Sequence, residues 1–69
     1  MSKSFEENEK VELNDYGLTW ISNTEIPFNA EGNIKIVQII PTSKETKYVI
    51  QDHEENQLLV DRHLIKHKN

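Results

Sequence analysis

The chain has 69 residues, no cysteine and a formal net charge of −4 at pH 7. That length holds one domain with a small core, and the missing thiols exclude disulfide staples and thiolate metal sites. The acidic balance opposes loose, sequence-independent binding to phosphates.

No apolar run approaches the roughly 20 residues needed to span a bilayer. No hydrophobic stretch follows Met1, so neither a membrane anchor nor a signal peptide is expected and the chain reads as cytoplasmic. Abundant Ile, Asn and Lys, whose codons are A/T-rich, point to a low-GC bacterium or one of its phages. The charge is unevenly spread: residues 1–33 carry two Lys against six Glu and one Asp, whereas residues 34–69 carry five Lys and one Arg against five acids. A basic C-terminal surface can therefore sit on an acidic body.

Residues 1–8 are polar apart from Phe5. Ser4 with Glu7 fits a capping box, and Lys3/Glu7 and Glu6/Lys10 have helical spacing. A helix this short is marginal in water, so residues 1–8 are expected to form a flexible tail before a single domain over 9–69. Lys10-Val11-Glu12-Leu13 alternates polar and apolar, as a half-buried strand does. Asn14-Asp15-Tyr16-Gly17 reads as a turn. Residues 18–33 read as a long irregular stretch, ending at the turn signal Glu31-Gly32-Asn33. With Leu18, Trp20, Ile21, Ile26 and Phe28 inside it, this stretch is expected to fold over the core or present a binding surface.

Ile34–Ile40 is β-branched and stops at Pro41. Its alternation changes phase, with Ile34 and Ile36 followed by Val37 and Ile39, which predicts a β-bulge near Val37. A polar loop over 41–45 leads to a strand over Thr46–Asp52. A charged hairpin at His53-Glu54-Glu55-Asn56 leads to Gln57–Val60. Asp61-Arg62-His63 makes a tight connection to a last short strand at Leu64-Ile65-Lys66. Five short strands with little helical periodicity predict an all-β domain, and closure into a barrel would remove exposed edges.

The run Gly32-Asn33-Ile34-Lys35-Ile36-Val37-Gln38-Ile39, followed by Lys47-Tyr48-Val49-Ile50, Leu58-Leu59-Val60 and Arg62-His63-Leu64-Ile65, resembles SH3-like barrels of the KOW and Tudor type. The resemblance implies a small five-stranded SH3-like barrel with Val11 and Leu13 in the first strand. It also implies a long first loop over 14–33 and a one-turn 3₁₀ segment at Asp61-Arg62-His63-Leu64 before the last strand.

Four groups of residues bear on function. The aromatics Tyr16, Trp20, Phe28 and Tyr48 offer either a groove for a peptide, a base or a cationic side chain, or a cap on the open end of the barrel. Phe28 and Tyr48 read as core and Tyr16 as exposed, while Trp20 fits both. Lys44, Lys47, Arg62, Lys66 and Lys68 form a candidate basic strip for phosphates, against the plainer reading of a solvated edge protected by lysine. His63 and His67 have the spacing of zinc ligands on a helix, but Leu64 and Ile65 favour a strand, so no metal or cofactor is expected. Glu6, Glu7, Glu9 and Glu12 read as a solubilising segment.

No nucleophile stands beside a candidate base, and no glycine-rich phosphate loop occurs, so no enzyme is expected. The leading expectation is a small non-catalytic protein-interaction module, phage- or mobile-element-encoded, using Tyr16 and Trp20 with Arg62 at the rim. The alternative is a nucleic-acid-binding accessory protein using the basic strip. Either would act as a monomer or weak homo-oligomer.

Overall fold

Alternating burial organises the chain into one antiparallel sheet. The structure, a computed structural model, describes residues 4–68. Its strands are β1 (Lys10–Leu13), β2 (Ile34–Pro41), β3 (Thr46–Gln51), β4 (Gln57–Asp61) and β5 (Ile65–His67), in the spatial order β4-β3-β2-β1-β5. Every neighbouring pair is antiparallel, and β1 joins the two halves by pairing with both β2 and β5. Among the described residues the sheet is open, because no ladder joins β4 to β5.

The buried face carries Val11, Leu13, Ile34, Ile36, Tyr48, Ile50, Leu58, Val60 and Ile65, with Phe5 and Phe28 packed among them. Each aliphatic side chain fully removed from water stabilises the fold by roughly 1.5–3 kcal/mol. The radius of gyration, 11.3 Å, agrees with the value of about 11 Å expected for a compact domain of this length.

The phase change in β2 is a bulge. Ile36 pairs with Ile50 and Gln38 with Val49, so Val37 has no partner across the ladder. Ile39, beyond the bulge, still packs against the core. A 3₁₀ turn at Arg62–Leu64 links β4 to β5, where a one-turn segment is expected.

Two expectations need correction. The stretch 14–33 is not wholly irregular: Asp15–Ser22 forms an α-helix, α1, and the domain is mostly β rather than all-β. Asn14, read as part of a turn, is the N-cap of that helix. Nor do residues 4–8 behave as a tail. Phe5 is buried, meets Tyr48 edge-on at 5.4 Å between ring centroids and stacks on the His67 ring at 4.1 Å. The Asn8 N–H donates to the Ile36 carbonyl at 2.7 Å, and the Ile36 N–H donates to the Glu9 carbonyl at 3.0 Å, so the β1–β2 ladder runs on past Lys10. The remaining tail residues, 1–3, lie outside the described residues, as does the Lys3 end of the Lys3/Glu7 spacing.

Asp52 ties the β3–β4 hairpin to the segment before β2. Its carboxylate accepts from the backbone N–H groups of Asn29 (2.7 Å), Glu54 (2.9 Å) and Asn56 (2.8 Å), and from the Asn56 side-chain amide (3.1 Å). Burial pushes its pKa up, but these hydrogen bonds to the charged form outweigh burial and hold it below the ordinary value.

Candidate functional site

Helix α1 places Tyr16 and Trp20 four residues apart, on one face. Its position is set by contact with the 3₁₀ turn. The Asn14 side-chain oxygen accepts from the Gly17 N–H at 2.9 Å, while its amide donates to the His63 carbonyl at 2.6 Å. The Asn14 backbone N–H donates to the Leu64 carbonyl at 3.1 Å. Gly17 is buried at this contact: a Cβ there would overlap the Leu64 carbonyl oxygen and stand 3.0 Å from Leu13 Cδ2. Helix and turn thus meet backbone to backbone, and no larger residue fits between them.

This docking leaves Tyr16 74% exposed, while Trp20 is half-buried and packs against the core. Both line a cleft of about 490 Å³ together with Leu59, Leu64, Lys47, Asp61 and His63. Leu59 points to the outer face of β4 and is 53% exposed, unlike its buried neighbours Leu58 and Val60. Lys47 and Asp61 face each other directly across the β3–β4 ladder and form an ion pair. Glu45 adds a second carboxylate to Lys47 at 2.8 Å. The hydrogen bonds that Lys47 donates to Asp61 and then to Glu45 hold its ammonium above the usual lysine pKa.

Arg62 lies in an adjoining hollow of about 550 Å³ with Glu45, Thr46, Tyr48 and His63. His63 lines both depressions. Tyr16, Trp20 and Arg62, singled out from the sequence, therefore stand around one continuous stretch of surface. Phe28 and Tyr48 are in the core, 8% and 6% exposed.

Three lysines of the candidate basic strip have partners within the fold. Lys47 is held between two carboxylates, Lys66 pairs with Glu12 at 3.4 Å, and the Lys68 ammonium donates to the Asn33 side-chain oxygen at 3.5 Å. Lys44 is exposed in the β2–β3 connection. His63 and His67 belong to different elements, the 3₁₀ turn and β5, and His67 contacts Glu9 and Phe5.

Leu59 is a lining residue of the cleft that the sequence reading left out. Its signal was present: Leu58-Leu59-Val60 places three apolar residues in succession, so alternation must expose the middle one. The surface holds exposed apolar side chains beside the Lys47–Asp61 ion pair. Compared with family models, curated proteins and solved structures, the chain matches none.

Proposed function

We propose that the chain is a small, non-catalytic protein-interaction module. In this reading it works in the cytoplasm as a monomer or weak homo-oligomer, encoded by a phage or mobile element of a low-GC bacterium. It docks a partner protein on the cleft of Tyr16, Trp20 and Leu59, with Arg62 at the rim. The observation that carries the reading is the pairing of an exposed aromatic with an exposed aliphatic side chain in one cleft. Aromatic and Arg side chains dominate interface energetics. The Lys47–Asp61 pair beside them offers both charge signs for orienting a partner.

The architecture we assign is an SH3-like barrel. Three features support it: the strand order with β1 between β2 and β5, the bulge that bends β2, and the 3₁₀ turn ahead of β5.

The test is a ¹⁵N–¹H correlation spectrum of the protein recorded with mixed-sequence oligonucleotides at low salt, alongside capture of partners from host lysate. The reading expects no oligonucleotide-induced shifts, and capture that is lost in Tyr16→Ala. Shifts at Lys44, Lys47, Arg62, Lys66 and Lys68 that reverse with added salt would replace it with the nucleic-acid reading.

A further inference from the structure

We propose that the protein carries an anion site for a phosphate group on the outer face of the β1–β2 ladder, apart from the cleft of Tyr16 and Trp20. Lys10 and Lys35 are direct partners across these two antiparallel strands, and both are exposed. Like charges set opposite each other on a sheet repel. Among the described residues, neither lysine has a carboxylate within ion-pair distance.

The two lysines line a hollow of about 360 Å³ whose wall also includes Asn8, Asn33 and His53. Lys68, hydrogen-bonded to Asn33, brings a third ammonium to its margin. Two acids share the hollow. Asp52 is buried and ionised, with its carboxylate committed to four hydrogen bonds within the fold, and exposed Glu55 adds a second negative charge at the rim. On a chain of net charge −4, this places two unpaired lysines on one open hollow.

A dianion between Lys10 and Lys35 would convert their repulsion into two charge-assisted contacts, while Asn8, Asn33 and His53 supply further donors. Gly32 shapes the same wall. A Cβ on Gly32 would overlap the His53 ring, so glycine lets that ring lie against the loop beside the hollow. The ligand class is a phosphate or phosphomonoester. A free phosphate ion and the phosphate of a nucleotide present the same chemistry.

The experiment is a titration of the ¹⁵N-labelled protein with inorganic phosphate, against sodium chloride at matched ionic strength, followed by adenosine monophosphate. Saturating shifts at Lys10, Lys35 and His53 are expected with phosphate, and not with chloride. Equal response to the nucleotide assigns the phosphate group alone. A nucleotide affinity at least about tenfold higher assigns a nucleotide source. Lys35→Glu places an opposite charge across from Lys10, so it should keep or raise the melting temperature and abolish the phosphate response. Identical shifts with chloride, shifts confined to other residues, or an unchanged response in a folded Lys35→Glu protein would each overturn the proposal.

Discussion

The backbone of Gly17 lies against the carbonyl oxygen of Leu64, so closely that a single methyl on the glycine would overlap it. That contact is where helix α1 meets the 3₁₀ turn, and it fixes the cleft from both sides. Gly17→Ala should therefore cost about 1–3 kcal/mol through overpacking, a fall in Tm of roughly 5–20 °C for a domain this small. Gly32→Ala is the control. Its Cβ would meet the far end of the exposed His53 side chain, which can swing aside, so a change within about 0.5 kcal/mol is expected. Thermal unfolding of the two variants checks both values. Equal stabilities would contradict the backbone contact.

Phe5 is predicted to belong to the folding unit. Phe5→Ala should cost about 3 kcal/mol, the lower end for a buried aromatic. Loss of its stack on His67 should also move the His67 ring resonances. Urea unfolding measures the first effect and the histidine ring spectrum the second. Wild-type stability in the variant would return residues 4–8 to a tail.

Asp52 makes an acid-sensitive contribution of known sign. Its folded-state pKa lies below the unfolded value of 3.8. The stability it adds is therefore complete above that value and is lost as the pH falls from there through the lower folded value. Asp52→Ala should cost about 2–4 kcal/mol at pH 7, because it leaves donors in the hairpin and at Asn29 without their charged acceptor. Asp52→Asn should flatten the fall of stability with acid between about pH 5 and pH 2. Urea unfolding across that range tests both, and parallel pH profiles for wild type and Asp52→Asn would contradict the assignment.

The sheet was legible in the sequence because its information is local. Alternation located β1, apolar runs between turn signals located the other four strands to within a residue at each end, and the shift between Ile36 and Val37 located the bulge. Helix α1 was not legible. Asp15-Tyr16-Gly17-Leu18-Thr19-Trp20-Ile21-Ser22 is rich in weak helix formers, with a glycine inside. What holds it is the Asn14 cap and its seat on the 3₁₀ turn, a tertiary contact that no window of sequence displays. Phe5 was missed for a related reason, since one aromatic in a polar segment has no period and its partners lie at Tyr48 and His67. Asp52 read as the last residue of a strand. Its role depends on Asn29, 23 positions earlier. Tyr16 and Trp20 were visible as candidates by residue type and Leu59 by its place in an apolar run, whereas the ion pair beside them required the ladder register.

The most direct test of the central claim is quantitative capture from host lysate by immobilised wild-type protein and by Tyr16→Ala. Tyr16 is 74% exposed, so its truncation should leave stability within about 0.5 kcal/mol. The account predicts that proteins retained by the wild type fall at least about tenfold with Tyr16→Ala, as expected when an interface loses an aromatic anchor. An identical retained set, from a variant shown to be folded, would contradict the cleft as the partner-binding surface.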